Sequence, residues 1–224
     1  MAGPGQIPIR FPEARLSFAE MEKTSANRAA IAAVRRVEHW PYHVFCLIGP
    51  RQSGLTTIAQ AWAEERGGTC LLPAELNLLT SQQLEAYAAG SLAVDRADEF
   101  ADGMQLLTII SAAERLGGHI LLTANTAPSH WPASTRDLAS RLRSAPMAEL
   151  GNPDEALMRA RIRRACDRAY LKLPKLVEDY LVIRLGLSFA LIEDAILQLD
   201  GAAGGRPLSV PMAREVLAGE DWDG

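Results

Sequence analysis

One stretch of the sequence, VFCLIGPRQSGLTT from Val44 to Thr57, restricts the fold most strongly. Its first residues are apolar and β-prone, a glycine turn follows, and a helix-forming run comes next. This order of strand, phosphate loop and helix is typical of a P-loop unit. Gly49 and Gly54 have the spacing of the two glycines of that motif, and Thr56 occupies the position of the hydroxyl that holds magnesium.

The loop departs from the motif at Leu55, because a lysine that reaches the β- and γ-phosphates normally occupies this position. Backbone N–H groups and the positive end of the following helix still favour an anion. The strongest side-chain contact to phosphate is missing, so we predict a degenerate nucleotide site. Its candidate loop residues are Gly49, Arg51, Ser53, Gly54, Leu55, Thr56 and Thr57.

The composition is that of an ordinary globular protein. The chain has 224 residues, of which 48% are apolar and 22% are charged, enough for one large core or two modest ones. A net charge of -4 gives no overall electrostatic reason to bind nucleic acid or an anionic membrane, so any such contact would need a local patch.

The cysteines and the hydropathy indicate a reducing compartment. Cys46, Cys70 and Cys166 lie in apolar runs without C-x-x-C spacing, which favours buried thiols over a metal site or disulfides. No run of about 18 apolar residues occurs, and the first residues lack a signal-peptide core. We therefore expect a cytoplasmic protein that does not insert into membranes.

Apolar strands alternate with helical patterns up to residue 150. Because these strands are apolar on both faces, the pattern predicts a parallel sheet that is covered on both sides, with polar groups at the carboxyl ends of its strands. Only helical patterns follow, and Asn152 and Pro153 suggest an N-cap and a first helical residue. We thus expect an extended leader over 1–15, an α/β domain over 16–150 and a helical domain over 151–224. Within the α/β domain, Ser81 is the expected N-cap of one helix.

Two polar residues follow predicted strands. Asp95 suits a role in ordering magnesium together with Thr56, although an aspartate at a strand end also caps turns. Asn125 is suited to a γ-phosphate or a water, or equally to turn formation. Arg96 stands where such motifs usually have a second acidic residue, and a cation cannot position the attacking water.

The leader contains Gln6, Ile7, Ile9 and Phe11. A glutamine followed by apolar residues at alternate positions suits an extended peptide that docks into a pocket of a partner. A plain linker with a few apolar residues explains the same pattern, so both interpretations stay open at this point.

Together these residues resemble the AAA+ domain of bacterial DnaA-type replication initiators, and most closely the short homologues of the Hda type. The resemblance covers nearly the whole chain. It includes Phe18, Ser25-Ala26-Asn27, the degenerate loop, Asp95, and Asn125 at the sensor I position. Its most specific part is RDLASRL from Arg136 to Leu142. It implies a P-loop AAA+ fold, in which a five-stranded parallel sheet flanked by helices precedes a small helical lid.

The resemblance also implies a function. Proteins of this type regulate replication initiation: docked on the sliding clamp, they promote hydrolysis of the ATP held by DnaA. Gln6, Ile7, Ile9 and Phe11 are similar to the clamp-binding peptide, and Arg141 matches the arginine finger that acts in trans. The implied partners are DnaA and the clamp, which would bring the protein to the nucleoid, and the likeness is compatible with homo-oligomers. Because the chain ends at Gly224, we expect no helix-turn-helix domain and no sequence-specific DNA binding.

Three departures from the family concern the protein's own nucleotide. They are Leu55, Arg96, and Ala190 at the expected position of the sensor II arginine. One alternative is an active ATPase in which Arg51 or Arg96 replaces the lysine, and another is a paralogue that serves only as an interaction scaffold. The cofactor is either a nucleoside diphosphate with magnesium, bound through Thr56 and Asp95, or none.

Two expectations concern arginines. For a role in trans, Arg141 should be exposed, with no strong carboxylate partner beyond a surface pair with Asp137. The arginines of the first lid helix suit a solvated face first, a protein-binding patch second and DNA third. They are Arg159, Arg161, Arg163, Arg164 and Arg168.

Overall fold

The computed structural model describes residues 16–100 and 103–219. A five-stranded sheet lies at its centre, and every pair of neighbouring strands is parallel. The strands are β1 (Val44–Ile48), β2 (Thr69–Leu71), β3 (Ser91–Val94), β4 (His119–Ala124) and β5 (Met147–Glu149). Their spatial order is β2-β3-β4-β1-β5, so the strand that precedes the phosphate loop is not at an edge. The predicted sheet is confirmed.

Helices pack around this sheet, and only helices follow its last strand in the described residues. Those that precede or alternate with the strands are α1 (Arg28–Arg35), α2 (Leu55–Glu65), α3 (Pro73–Leu76), α4 (Ser81–Ala88), α5 (Met104–Leu116) and α6 (Arg136–Ser144). Those that come after β5 are α7 (Glu155–Arg168), α8 (Lys175–Arg184), α9 (Ala190–Ala203) and α10 (Val210–Val216). Short 3₁₀ turns lie at Val37–His39, Ala97–Glu99 and Pro128–His130.

The sheet is buried on both faces, as its apolar strands predict. Successive side chains of a strand point to opposite faces. In β1, Val44 and Cys46 belong to the cluster formed with α4, α5 and α6, whereas Phe45 and Leu47 belong to the cluster formed with α1 and α2. The phosphate loop therefore connects β1 to a helix on the face opposite α6.

The register aligns the carboxyl ends of the strands that carry the site. Ile48 is paired with Ala124, and Val94 with Leu122. The residues that directly follow β1, β3 and β4 therefore lie at the same edge of the sheet. This places the phosphate loop beside Asp95 and Asn125.

Helices α7 to α10, which we call the lid, have a core of their own. Its members include Met158, Ile162, Leu181 and Leu199, none of which contributes to the two clusters around the sheet. On this basis we propose residues 16–150 and residues 151–224 as two domains, the second of which the structure describes up to residue 219.

Two helix starts differ from the prediction. Thr80, not Ser81, is the N-cap of α4: its hydroxyl accepts from the N–H of Gln83 at 3.3 Å, and the Gln83 amide oxygen accepts from the N–H of Thr80 at 2.9 Å. Asp154, not Asn152, caps α7 by accepting from the N–H of Leu157 at 3.0 Å. In both cases a residue one or two positions away offers the better-placed acceptor.

Two cysteines lie deep in the structure. Burial raises the pKa of the Cys46 thiol to about 12, and burial is also the main cause that raises the pKa of Cys166 to about 12. Across residues 16–100 and 103–219, no cluster of His, Cys, Asp and Glu is arranged to hold a metal ion. No helix in the same ranges is both long enough and apolar enough to cross a bilayer.

A first prediction concerns Gly118, which lies between α5 and β4. A Cβ atom there would lie 1.9 Å from the carbonyl oxygen of Ala88, so Gly118→Ala must displace backbone. We expect the free energy of unfolding, measured by urea denaturation, to fall by about 1–3 kcal/mol.

Gly201→Ala is the matched control, because Gly201 lies inside α9 and a Cβ there meets nothing within 4 Å. This change should raise the free energy of unfolding by about 0.5–1 kcal/mol. Equal urea midpoints for Gly118→Ala and the unaltered protein would contradict the close approach of Gly118 to the end of α4.

Candidate functional site

The phosphate loop has the backbone shape of a P-loop. Gly54 has a φ of 102° and is the N-cap of α2, and Gln52 also has a positive φ of 62°. At Gly49 a Cβ atom would lie 2.9 Å from both Leu150 Cβ and Ser53 Oγ, so the loop needs glycine there. Glycine is thus required at the two positions for different reasons: a left-handed backbone at Gly54 and close packing at Gly49.

Leu55 begins α2, and its side chain is buried with 8% of its surface exposed. It belongs to the apolar cluster that also contains Leu47 and Ile58. The position that a P-loop uses for a cation is therefore part of the core. Burial of an isolated ammonium group would be costly, so a lysine here would have to extend toward the loop.

Asp95 connects three elements at the carboxyl edge of the sheet. It is 3% exposed, and its two oxygens accept hydrogen bonds from Thr56 Oγ1 at 2.7 Å and Thr123 Oγ1 at 2.5 Å. A hydroxyl that donates its proton to a carboxylate keeps its lone pairs for a cation. Thr56 and Asp95 therefore fit the magnesium roles predicted for them, and Thr123 is a partner that the sequence did not reveal.

Asn125 lies at the end of β4, where it was expected, but two of its donor groups are already engaged. Its side-chain amide donates to the carbonyl oxygen of Gly49 at 3.0 Å, and its backbone N–H donates to Asp98 Oδ2 at 3.1 Å. Thr126 Oγ1 donates to the same oxygen at 3.0 Å. Asn125 thus holds the end of β4 against the phosphate loop while it also lines the cavity there.

The loop borders a cavity of about 480 Å³, which we call the phosphate cavity. Besides the loop backbone, its lining includes Arg51, Arg96, Arg161, Glu99 and Asn125. Arg96 has a left-handed backbone, with a φ of 57°, and its guanidinium lies 3.6 Å from Glu99 Oε1. Both arginines considered as substitutes for the missing lysine therefore border the cavity, and so does a carboxylate.

A second cavity of about 240 Å³ lies between the lid and the sheet domain. Its lining includes Met21, Ile31, Ile58 and Phe189. It shares three lining residues with the phosphate cavity: Gly54, Thr57 and Arg161. The two cavities therefore adjoin, and the second is the more apolar, as a nucleotide's phosphates and base would require.

Arg161 is the site residue that the sequence analysis did not single out. Its guanidinium lies over the ring of Phe189, 5.1 Å from the centroid, and one nitrogen lies 3.5 Å from the carbonyl oxygen of Gln52, which is long for a hydrogen bond. Phe189 directly precedes Ala190, the position at which the resemblance leads us to expect a lid arginine. A cation from α7 thus reaches the phosphate loop although α9 supplies none.

Helical phase could have revealed this residue. Leu157, Arg161, Arg164 and Arg168 follow the spacing i, i+4, i+7 and i+11, and all four line the second cavity. The arginines of α7 are largely paired with acids or with backbone. Arg159 contacts Glu155 and Asp179, Arg163 contacts Glu178, Arg168 contacts Glu193, and Arg164 donates to the carbonyl oxygen of Glu20.

Arg141 lies on α6, and its environment differs from the expectation. Its Nε donates to both oxygens of Asp137, at 3.0 and 3.1 Å, and another guanidinium nitrogen donates to Glu114 of α5. The hydrogen bond to Glu114 is the main cause that raises the pKa of Arg141. The side chain is 28% exposed. The expectation of an exposed guanidinium without a second carboxylate partner is therefore wrong.

The nucleotide and magnesium that a P-loop fold implies fit this site in part. The adjoining cavities, the loop backbone, Thr56, Asp95 and Arg161 suit a nucleoside diphosphate with magnesium. The missing loop lysine and the cation at Arg96 do not suit hydrolysis of a triphosphate. We therefore derive no catalytic step at the protein's own site. Gln6, Ile7, Ile9 and Phe11 lie outside the described residues.

Comparison with solved structures identifies the fold. Domain III of the Thermotoga maritima replication initiation protein DnaA superposes with a TM-score of 0.76 at 17% identity, over 92% of this chain and 96% of that one. AMPPCP-bound DnaA from Aquifex aeolicus gives a TM-score of 0.66 at 18% identity, over 89% of this chain and 69% of that one. A RuvB variant from Thermotoga maritima gives 0.61 at 16% identity, over 85% and 65%.

These similarities show a P-loop AAA+ fold of the DnaA type. The chain spans only 63% of a DnaA structure with AMPPCP and single-stranded DNA, and 64% of the structure of a DNA replication initiation factor. No protein-family model matches the sequence, and no curated protein matches it either. At these identities the comparison fixes the fold, and function must be argued from the site.

The site generates a prediction about nucleotide affinity. We expect no ATPase activity and no saturable micromolar ATP binding by calorimetry, because a charge-assisted contact worth about 1.5–3 kcal/mol is missing. Leu55→Lys should tighten ATP binding by about tenfold or more without turnover, since Arg96 remains. It should also lower the melting temperature, because Leu55 leaves the core. Leu55→Met, which adds no charge, is the control and should bind no better than the unaltered protein.

Proposed function

We propose that this protein regulates chromosomal replication initiation by acting in trans on ATP held by a DnaA initiator. One observation carries the proposal: the residues for its own nucleotide chemistry are altered, whereas an arginine in the position for acting on a neighbour's nucleotide is kept. Leu55 is in the core and Arg96 stands where such motifs have an acid, whereas Arg141 lies on α6 with 28% of its side chain exposed. This asymmetry suits a protein that assists hydrolysis elsewhere.

The placement of Arg141 supports a role in trans. It is absent from the linings of both cavities that adjoin the protein's own loop. It belongs to the layer of α4, α5 and α6, while the loop leads into α2 on the opposite face of the sheet. The RDLASRL segment that contains it is the most specific resemblance to the arginine-finger segment of AAA+ proteins. We assign Arg141 the task of stabilising transition-state charge on a phosphate of the adjacent initiator.

The ion pairs of Arg141 are compatible with this task. Glu114 and Asp137 are themselves 39% and 58% exposed. Partly exposed pairs of this kind contribute about 0–1 kcal/mol each. A triphosphate carries more charge than either carboxylate, so it can replace them at modest cost. Meanwhile the pairs hold the guanidinium in place at the surface.

The leader supplies the proposed link to the sliding clamp. Gln6, Ile7, Ile9 and Phe11 have the alternation of an extended peptide that fills a pocket on its partner. Docking there would bring the protein to newly replicated DNA, where DnaA must be inactivated. The partners of the proposed function are therefore DnaA and the clamp.

A weak ATPase is the second candidate function. The observation in its favour is that Arg161 and Glu99 border the phosphate cavity, where they could replace the missing cation and acid. Against it, Glu99 is paired with Arg96 and its side chain is 57% exposed, so its carboxylate is not held in position for an attacking water. Hydrolysis by the isolated protein would favour this candidate.

The decisive experiment measures hydrolysis of ATP bound to the cognate DnaA, with this protein and DNA-loaded clamp added. Stimulation that requires all three components supports the proposal. If the clamp binds but hydrolysis does not change, the protein is an interaction scaffold. Absence of both effects overturns the assignment.

Arg141→Ala should remove the stimulation of DnaA hydrolysis. It should lower stability by less than about 1 kcal/mol, because its ion pairs are partly exposed. Arg141→Lys should restore little activity, since an ammonium lacks the planar fork that contacts two oxygens together. Arg143→Ala, an exposed arginine on the same helix, is the control and should keep full stimulation. Unfolding of the Arg141→Ala protein would instead assign Arg141 a structural role.

Deletion of residues 1–12 should abolish clamp binding without changing the melting temperature. Gln6, Ile9 and Phe11 should each be required, and affinity should be modest because an extended peptide loses chain entropy when it binds. Arg10→Ala changes an intervening position and serves as the control. If the truncated protein binds the clamp equally well in surface plasmon resonance, the leader is only a linker.

A further inference from the structure

A basic groove of about 700 Å³ runs along α1 to the end of α2, away from the phosphate loop. We call it the α1 groove. Its lining residues are Lys23, Arg28, Ile31, Ala32, Arg35, Arg36, Glu65 and Arg66. Five cations less one carboxylate leave an excess of four positive charges, in a chain whose net charge is -4. The groove is thus the kind of local patch that overall composition conceals.

Two guanidinium groups of the groove are held in place. Arg35 is paired with Glu65 and lies 5.1 Å from the centroid of the Phe18 ring. Arg66 donates to Ser91 Oγ at 3.1 Å and lies 5.6 Å from the centroid of the Trp62 ring. Side chains fixed in this way lose less entropy when they bind an anion.

The other three cations are exposed to solvent. Arg28 donates to the carbonyl oxygen of Lys23 at 3.2 Å. Lys23 and Arg36 form no ion pair with a carboxylate among the described residues. Unlike the arginines of α7, which face acids of α8 and α9, these side chains keep their charge available for a ligand.

The lining also indicates which anion fits. Ile31 is buried and Ala32 is small, so the groove offers no large apolar anchor of the kind that dominates peptide interfaces. Among the described residues, no aromatic side chain lines it, so this lining lacks a platform for stacking unpaired bases. A phosphodiester backbone needs neither feature. Helix α1 spans about 12 Å, a length over which duplex DNA carries several phosphates.

We propose that the α1 groove binds the phosphate backbone of double-stranded DNA without sequence preference. The proposal goes beyond the function assigned above and does not depend on it, because it concerns the protein and DNA alone. Lys23, Arg28 and Arg36 contact phosphates directly, and Arg35 and Arg66 add fixed charge to the wall of the groove. Such binding would hold a clamp-docked protein against the DNA that the clamp encircles.

The test measures fluorescence anisotropy of a short labelled duplex of arbitrary sequence over a range of salt concentrations. The unaltered full chain should bind in low salt, and Lys23→Gln with Arg36→Gln should weaken binding by about tenfold. The slope of log affinity against log salt should become shallower by about 1.8, which is about 0.9 for each phosphate contact removed. Arg28→Gln alone should make it shallower by about 0.9.

The control protein carries Arg143→Gln and Lys172→Gln, which remove the same charge from exposed positions elsewhere. It should bind like the unaltered protein, and equal weakening in the control would show that only overall charge matters and would overturn the proposal. Absence of duplex binding in low salt would also overturn it. So would displacement of the duplex by polyglutamate of matched charge, or by a single strand, as effectively as by unlabelled duplex. These assays contain neither DnaA nor clamp, so their failure leaves the proposed regulatory function untouched.

Discussion

The buried carboxylate of Asp95 fixes the frame of the site. Each of its oxygens accepts one hydroxyl hydrogen bond, from Thr56 at the start of α2 and from Thr123 in β4. A carboxylate this deeply buried would be costly without such partners, so the bonds set the position of α2 relative to the sheet. Because α2 starts at the end of the phosphate loop, the loop keeps its shape without help from a nucleotide. This explains how the phosphate loop keeps its shape although Leu55, at the position where a P-loop has a lysine, is part of the core.

The distribution of charge separates the faces of the molecule. On α7 the arginines face the acids of the lid, or backbone oxygens of the sheet domain, so the most basic helix of the sequence offers little free charge. Arg164 donates to a backbone oxygen of the segment before α1, and the guanidinium of Arg161 lies 3.5 Å from a backbone oxygen of the loop. Lys23, Arg28 and Arg36 are exposed cations that lie together beside α1, where Glu65 is the only acid among the described residues of the lining. Whether a surface can bind an anion therefore depends on how its cations are paired with neighbouring acids and backbone oxygens, and not on the number of arginines in the sequence.

The sequence was sufficient for the sheet and the carboxyl-edge residues, because strands that are apolar on both faces have one stable arrangement with intervening helices. It was less reliable where neighbouring residues compete for one role, as Thr80 and Ser81 do for the N-cap of α4. It failed for contacts between distant elements. Glu114 precedes Arg141 by 27 positions, and only the packing of α5 against α6 brings them together. The contribution of Arg161 likewise depends on which face of α7 it occupies. The sequence did not reveal this face, because α7 contains five arginines.

The pairing of Arg141 bears on the role in trans that we propose for it. Leu138 and Leu142, on either side of it along α6, are buried in the core, so the helix is anchored by apolar contacts and not by the guanidinium. The two carboxylates instead limit the rotamers of a long side chain that would otherwise lose much entropy when it meets a phosphate. The free energy of breaking partly exposed pairs is small, while orientation is obtained before the partner arrives. A carboxylate-held arginine is therefore better prepared for an incoming phosphate than the free one that the sequence suggested.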